Sequence, residues 1–262
     1  MYLTACLLVF FAAYLVNTTM ISVFYHRGLA HGAVRLTPSA QQFVGRYGVW
    51  ATGLDPKAWV CMHRAHHDFS DSEDDPHSPV HYGFFGVLLG QLRSYERILV
   101  CLIRGDEKTT QAVADLDFPV SWPNRTGYWY APYLVHLAVA VLIALPTGMW
   151  ALGAAYWIGI MSHPFEGWIV NSFGHAVGSR NFETTDNSRN NHLAAWLVVG
   201  EGFQNNHHRF PASAKFSFAV GEVDFGYGLC LALERTGVLE IARETLIPSR
   251  EEFVYEEAAR TA

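Results

Sequence analysis

Histidine is the residue type whose grouping in this chain suggests chemistry. Residues 63–67 read His-Arg-Ala-His-His, and residues 204–208 read Gln-Asn-Asn-His-His. Side chains three and four residues apart share one face of a helix, so each triple can aim its side chains at one point. Imidazole is the commonest side-chain metal ligand near neutral pH. Each triple therefore predicts a metal site.

Three further histidines enlarge the set. His26 and His31 are five residues apart, which is about 140° around an ideal helix. They converge only if the helix ends or is distorted between them, and Gly28 permits such a distortion. A third, His175, ends the segment 171–175, Asn-Ser-Phe-Gly-His. The candidate ligands are His26, His31, His63, His66, His67, His175, His207 and His208.

Eight histidines exceed what one metal ion needs, because a zinc site takes four ligands. Two metals with four or five ligands each fit the number better. No carboxylate holds a matching place in any cluster, unlike in soluble di-iron bundles, which are built on Glu and Glu-x-x-His. Imidazole suits Zn, Cu, Fe and Ni, so the ligand type alone does not choose the metal.

Composition places these histidines in an apolar chain. Of its 262 residues, 50% are hydrophobic, 14% are aromatic and only 16% are charged, against about 25% charged in ordinary soluble domains. The net charge of −6, without a basic stripe, argues against nucleic-acid binding. The four cysteines are scattered and form no CxxC pair, so we expect free thiols in a reducing compartment.

Three segments are apolar enough to cross a bilayer, whose hydrocarbon core is about 30 Å thick. They cover about residues 2–25, 128–146 and 149–170, and Pro146-Thr147-Gly148 supplies a turn between the last two. A cleaved signal peptide is the competing interpretation of the first segment, but no Lys or Arg precedes Arg27.

Other segments mix apolar and charged residues. The stretch 83–103 indicates an amphipathic helix lying in the interface, and 40–62 and 221–239 are candidates for the same arrangement.

Positive charge predicts the orientation. All 18 Lys and Arg residues lie within 27–127 or 171–262. Since positive loops stay in the cytoplasm, we expect segments 26–127 and 171–262, with all the histidine clusters, on that side. The predicted fold is therefore one all-α integral membrane domain over 1–262, with about three transmembrane helices and a cytoplasmic helical cap that carries the histidines.

The ordered motifs resemble one family. They are His26-Arg27-x-x-x-His31, His63-Arg64-x-His66-His67, Asp75-Pro76-His77, Asn171-Ser172-x-x-His175, Thr185-Asp186-x-Ser188-Arg189-Asn190-Asn191, Gly200-Glu201-Gly202-Phe203 with Gln204-Asn205-Asn206-His207-His208, and Phe210-Pro211. In order and interval, over roughly residues 20 to 240, they are similar to the membrane-bound acyl-CoA (delta-9-type) fatty acid desaturases.

That resemblance implies a centre of two Fe ions that uses O2 and two electrons to introduce a cis double bond into a fatty acyl chain. The eight histidines would be direct ligands, and Asn171 would reach iron through water. Breaking an aliphatic C–H bond needs a metal-bound oxidant, and zinc has no redox chemistry. Asp71, Asp75, Asn205 and Asn206 are candidates for fixing the orientation of the rings.

The substrate would be an acyl-CoA, another acyl thioester or a lipid. No Gly-rich dinucleotide fingerprint and no haem or iron–sulfur segment is visible in the sequence. The resemblance therefore implies a separate cytoplasmic electron donor, either cytochrome b5-like or a ferredoxin with its reductase.

The chain departs from the family pattern in two places. Gln204 stands where the family usually carries a histidine ligand, and an amide oxygen is a harder and weaker donor than imidazole for Fe(II). Gln204 can bind iron, hold a water or leave a position open, and His77 or His192 can in principle take its place. The family usually has four spans, so we expect either a misassigned start or a three-span form.

Those departures leave other outcomes open. An acyl or alkane hydroxylase, a catalytically impaired paralogue and a metal-binding membrane protein without catalysis remain the alternative functions.

The remaining histidines are expected to be structural, namely His81, His136 and His163. Glu166 is costly within a span unless it faces the protein interior. It can line the acyl path or pair with His163, three residues away on the same helix face.

Overall fold

The fold is mostly helical, as the sequence predicts, and the computed structural model describes residues 2–242. The helices are α1 (Tyr2–Thr19), α2 (Pro38–Thr52), α3 (Pro56–Phe69), α4 (Pro79–Tyr82), α5 (Val87–Arg104), α6 (Glu107–Ala112), α7 (Trp122–Arg125), α8 (Ala131–Thr147), α9 (Trp150–Ile160), α10 (His163–Ala176), α11 (His192–Leu197), α12 (Gln204–Arg209) and α13 (Phe225–Glu234). A π-helical segment, Met20–Ala30, continues α1 without a break.

Two short strands were not anticipated by the all-α prediction. β1 (Val34–Leu36) and β2 (Leu239–Ile241) form an antiparallel pair in which Val34 lies opposite Ile241. This pair ties the chain just beyond the π-helical segment to the end of the described region. The predicted domain and its second cytoplasmic segment run to residue 262, so their parts at 243–262, like residue 1, lie outside the described residues.

The first helix is long and apolar. Together, α1 and the π-helical segment cover Tyr2–Ala30, which is 29 residues and enough, by length and composition, to cross a membrane. The helix packs against α9, and α9 packs in turn against α8. Its outer face leaves large apolar side chains uncovered, among them Leu3 at 72% and Leu8 at 67% exposure. Within residues 2–242 it is the one helix that meets this length criterion.

The predicted segment 149–170 is divided into two helices. α9 ends at Ile160 and α10 begins at His163, with Pro164 in its first turn. Proline has no backbone N–H to continue the preceding helix, so it is tolerated at the start of a new one. The turn predicted at residues 146–148 comes later than expected, because Pro146 and Thr147 still belong to α8 and Gly148 ends that helix with φ = 65°.

The predicted helix over 40–62 is also two helices, for a local reason. Gly53 ends α2 in the left-handed conformation (φ = 75°), and Asp55 then caps α3 by accepting from the backbone N–H groups of Lys57 and Ala58. An aspartate cap followed by proline is a typical helix start. The break sets the direction of α3, which carries the first histidine triple. The other predicted amphipathic helices correspond to α5 and α13.

Candidate metal centre

Five histidines from three elements, the π-helical segment and its C-terminal cap, α3 and α12, form one group, called here the five-histidine group. Its members are His26, His31, His63, His67 and His207, and one ligand nitrogen from each lies within 4.8 Å of the others. The Nε2 atom of His207 lies 2.9 Å from those of His26 and His67, and the Nε2 atoms of His31 and His63 are 2.7 Å apart. Five imidazole nitrogens converging in a buried space are a donor set suited to one metal ion.

Three more histidines, His66, His175 and His208, form the three-histidine group, whose ligand nitrogens also lie within 4.8 Å of one another. The Nε2 atoms of all three are buried and have no hydrogen-bond partner among the described residues. Buried polar atoms are normally satisfied, so three unpartnered nitrogens facing one point fit a second metal ion. The ring of His208 lies 4.5 Å from that of His67, so the two groups adjoin.

A carboxylate holds the far nitrogen of each ring in the three-histidine group. His66 Nδ1 lies 3.0 Å from Asp75, His175 Nδ1 lies 3.0 Å from Asp71, and His208 Nδ1 lies 2.5 Å from Asp186. Such a carboxylate fixes the tautomer, places the proton on Nδ1 and leaves the Nε2 lone pair free for a metal.

The acidic side chains are ionised in this setting. Burial raises the pKa of Asp71, but the hydrogen bond and charge of His175 outweigh burial and lower that pKa to about 2. The pKa values of Asp75 and Asp186 are lowered in the same way, against burial, by His66 and His208 respectively.

The π-helical segment explains why His26 and His31 converge. A π-helix makes i→i+5 hydrogen bonds, and the backbone N–H of His31 donates to the carbonyl of His26 at 3.2 Å. Residues five apart are then about one turn apart, and the two ring centroids lie 5.0 Å from each other. The predicted distortion is therefore present. Gly28 does not form a turn, because it lies inside the π-helical segment. A Cβ at this position would lie 3.3 Å from the carbonyl oxygen of Val23.

The two triples do not aim at single points, contrary to the expectation from spacing. On α3, His63 and His67 join the five-histidine group, whereas His66 joins the three-histidine group. The second triple, on α12, divides in the same way between His207 and His208. Adjacent residues diverge by about 100° on a helix, so one short helix can serve two neighbouring metals.

A buried charge network lies behind His26. The carboxylate of Glu201 lies 2.6 Å from His26 Nδ1 through one oxygen, and its other oxygen accepts from Arg27 and from Ser22, both at 2.5 Å. The Arg27 guanidinium is fully buried, contacts Asp224 and stacks 3.9 Å above the Phe216 ring. Burial raises the pKa of Glu201, but His26 and Arg27 more than offset that effect and lower it to about 2.

Burial keeps the imidazoles neutral, which is the form that binds metals. The pKa values of His31, His63, His67 and His207 are lowered well below the usual value by burial and by neighbouring histidines. Burial also lowers the pKa of His208, to about 4, although Asp186 opposes the shift.

Gln204 is buried at the start of α12 and packs against α10, the helix that carries His175. Its Nε2 donates to the carbonyl of Glu201 at 2.7 Å. Its Cγ would lie 2.4 Å from a Cβ at position 174, so Gly174 is what lets α10 approach so closely. Asn171 lies one turn before Gly174 on α10. Its side-chain amide donates to Gln91 at 3.3 Å, and it lines the same cavity as Gln204.

The two candidate replacements for Gln204 differ in position. His77 is buried beside His66, with ring centroids 4.4 Å apart, and neither of its ring nitrogens has a partner among the described residues. It belongs to neither histidine group, although it could form a set with His66 and Asp75. His192 packs its ring on Phe203 and lies outside both groups.

Two of the four side chains predicted to orient the rings do something else. Asn205 binds the backbone of residues 181 and 182, and Asn206 binds Phe216 and Glu222, so both brace loops. Asp186 and Glu201 do orient rings, although the sequence identified them only as parts of matching motifs. Contacts between residues far apart in sequence carry no periodic signal.

A cavity runs from the histidines into the apolar part of the molecule, between α1, α3, α5 and α10. Trp59 forms one side and stacks on His63, with centroids 5.0 Å apart and planes at 12°. Ile21, Met62, Leu92 and Val170 supply apolar walls. The cavity therefore reaches two rings of the five-histidine group, His26 and His63, and its concave, partly apolar shape is typical of a ligand site.

Comparisons with known proteins identify one family. Residues 3–217 match the family described as fatty acid desaturase. The chain is 29% identical over 242 residues to a delta-9 desaturase-like 5 protein of Arabidopsis thaliana. The alignment covers 91% of this chain and 76% of that protein.

Two further relatives have more specific names. A delta-9 acyl-lipid desaturase 1 of the same plant is 31% identical over 245 residues, 90% of this chain and 73% of its own. A hex-5-enoyl-[acyl-carrier protein] acetylenase of Moorena producens (strain JHB) is 31% identical over 235 residues, 84% of this chain and 71% of its own.

Proposed function

The chain belongs to the fatty acid desaturase family, and from that premise we propose that it removes two hydrogens from an acyl chain at a centre of two iron ions. Family membership makes it a membrane-associated oxidoreductase of fatty acyl chains. The proposal adds the delta-9-type reaction, which yields a cis double bond, the use of O2 and the metal. The observation that carries it is the pair of adjoining imidazole groups, one of which lines a cavity with apolar walls through His26 and His63.

The metal ligands follow from the two groups. The five-histidine group would hold one iron, and His66, His175 and His208 would hold the other. Gln204 would bind iron, hold a water or leave a coordination position open. Asn171 would reach the metal through water. When bound, iron supplies the redox chemistry that an unactivated C–H bond requires and that zinc lacks.

The protein's own groups position these parts. Asp71, Asp75, Asp186 and Glu201 hold the Nδ1 protons, so that each ring presents Nε2 to the metal. The cavity walls would exclude water and hold the acyl chain beside the histidine rings. Holding the reacting carbons in a fixed orientation lowers the entropic part of the barrier. The substrate would be an acyl-CoA, another acyl thioester or a lipid, and a cytochrome b5-like protein or a ferredoxin with its reductase would deliver electrons.

We also propose that the chain is one domain whose segments 2–25, 128–146 and 149–170 cross the bilayer, with 26–127 and 171–262 in the cytoplasm. The distribution of Lys and Arg and the apolar faces of α1, α8 and α9 support this topology. In sealed inside-out vesicles of a variant without its native cysteines, an impermeant maleimide should label Glu73→Cys but not Met149→Cys. Labelling of both would contradict the topology.

Expression in a host without its own desaturase, followed by mass spectrometry of total fatty acids, tests the reaction. We expect new monounsaturated acids from the wild type and none from His67→Ala. His81→Ala is the matched control, because His81 is exposed and lies outside both histidine groups. Double-bond position would then give the regiochemistry.

Gln204 motivates the second candidate, hydroxylation. The observation that favours it is that the second group brings together three imidazoles and the first brings together five. Gln204→His is the variant that tests whether an added imidazole changes the outcome. Hydroxylated acids from the wild type and unsaturated acids from Gln204→His would assign the altered outcome to Gln204. Iron binding by purified protein with neither product, when both electron donors are supplied, would refute the enzymatic proposal.

A further inference from the structure

The cavity beside the histidines is polar at its far end. Thr18 on α1, and His163 and Glu166 on α10, line it together with the apolar side chains described above. At about 1.5 Å per residue, Glu166 lies about 13 Å along α10 from His175. Thr18 comes eight residues before His26, just before the start of the π-helical segment. Two separate helices thus place hydrogen-bonding groups in the cavity at a distance from the metal-binding groups.

These polar groups are buried, and their hydrogen-bonding capacity is only partly used. His163 is 6% exposed, and its Nδ1 has no hydrogen-bond partner among the described residues. Glu166 is 5% exposed and accepts from Ser162 at 2.5 Å through one oxygen. The pairing of Glu166 with His163 that the sequence suggested is not formed as a hydrogen bond.

Such a wall is unsuited to a simple hydrocarbon. An unsubstituted acyl chain passing the histidines would press methylene groups against the Glu166 carboxyl group and the free nitrogen of His163. Burying polar groups without hydrogen-bond partners is unfavourable, and cavities that take plain hydrocarbon are apolar throughout. Other polar side chains of the cavity, such as Ser22, Gln91 and Tyr95, hydrogen-bond to protein groups. His163 Nδ1, by contrast, has no hydrogen-bond partner among the described residues.

We propose that the cavity takes an acyl chain that carries a hydroxyl or similar hydrogen-bonding group about 10–13 Å beyond the carbons held at the histidines. Glu166 would accept from that group, and His163 would donate to it or accept from it. The inference rests on the proposed function and deepens it, because it names the chemical class of the substrate.

Binding measurements test this independently of turnover. The probes are N-acetylcysteamine thioesters of hexadecanoic acid and of a positional series of hydroxyhexadecanoic acids, added to the full chain in nanodiscs. Tryptophan fluorescence reports binding, since Trp59 lines the cavity. We expect at least one hydroxylated thioester to bind about tenfold more tightly than the unsubstituted one, because a site built to bond a hydroxyl rejects an analogue without it.

Three variants locate the preference. Glu166→Leu and His163→Leu should each reduce the ratio of the two dissociation constants towards one. Phe165→Leu is the matched control, because Phe165 lies on the same helix and is 59% exposed, and it should keep the wild-type ratio. Two results would overturn the inference. One is equal binding of the whole series by the wild type, and the other is a hydroxyl preference that persists in both Glu166→Leu and His163→Leu.

Product analysis on the same thioesters separates this inference from the proposed function. A hydroxyl preference in binding, without oxidised product from any thioester once iron and reductant are supplied, would refute the reaction and leave the cavity assignment standing. Desaturation of all the thioesters at equal rates and with equal affinities would support the proposed reaction and refute the hydroxyl preference of the cavity.

Discussion

Replacing Glu201 by Gln is the most informative single change that the structure suggests. One carboxylate oxygen faces His26 Nδ1 at 2.6 Å, and the other accepts from Arg27 at 2.5 Å. Both neighbours are donors. An amide has one acceptor and one donor, so in either orientation its N–H2 faces a buried N–H. If the amide oxygen satisfies Arg27, the proton on His26 Nδ1 loses its acceptor.

The size of the effect follows from these contacts. Breaking a buried ion pair by removing one partner costs about 3–5 kcal/mol. The lower end applies here, because Asp224 still contacts Arg27 at 3.2 Å and the glutamine fills the same volume. A loss of about 3 kcal/mol corresponds to a fall of roughly 6–12 °C in the apparent unfolding temperature for a protein of this size. Losing the group that orients a metal-binding histidine costs about 10–100-fold in metal affinity.

The assay is thermal unfolding together with iron titration of the purified full chain. Asp115→Asn is the control, since Asp115 pairs with Arg64 at 2.6 Å but is 58% exposed at its side chain. A surface pair of that kind contributes at most about 1 kcal/mol. If Glu201→Gln unfolds within about 1 °C of that control and binds iron with wild-type affinity, the assigned role of Glu201 is refuted.

Four further changes probe other parts of the molecule. Asp186→Asn removes the anion 2.5 Å from His208 Nδ1 and should weaken the second of two iron-binding steps about 10–100-fold in a titration. Gly48→Ala places a Cβ 2.4 Å from the Tyr25 hydroxyl and should lower stability by about 1–3 kcal/mol in thermal unfolding, whereas Gly228→Ala, with nothing within 4 Å, should raise it by about 0.5–1 kcal/mol. His136→Phe leaves Tyr156 and the Trp50 carbonyl without a partner, and a loss of at least about 1–3 kcal/mol is expected by the same measurement.

Helical periodicity predicted correctly that His63 and His67, four residues apart on α3, lie together. It predicted wrongly that His66 would join them. The assignment of every histidine to one of two groups was beyond the sequence. It depends on where α3, α10 and α12 cross, and those crossings are set by packing, such as the contact that Gly174 allows with Gln204.

Hydrogen-bonding alternatives of the backbone were also invisible in the sequence. Residues 2–25 predicted a helix, but not its conversion to a π-helix at Met20, on which the convergence of His26 and His31 depends. The division at Ile160 and His163 was signalled by Pro164, which the apolar pattern of 149–170 obscured. The strand pair joins residues 34–36 to 239–241, and its separation in sequence leaves no local pattern.

Backbone strain gathers in the turn that precedes Glu201. Val199 has φ = 41°, a conformation that costs a β-branched residue about 1–3 kcal/mol, and Gly200 follows with φ = 102°. This turn positions Glu201, whose carboxylate holds His26 of the five-histidine group and whose carbonyl accepts from Gln204. Glu201 therefore links a metal-binding ring to the start of α12. The strain is sustained by the buried contacts of Arg27 and by the hydrogen bond from Gly226 to the Val199 carbonyl, so changes at those distant positions should reach the metal-binding rings through Glu201.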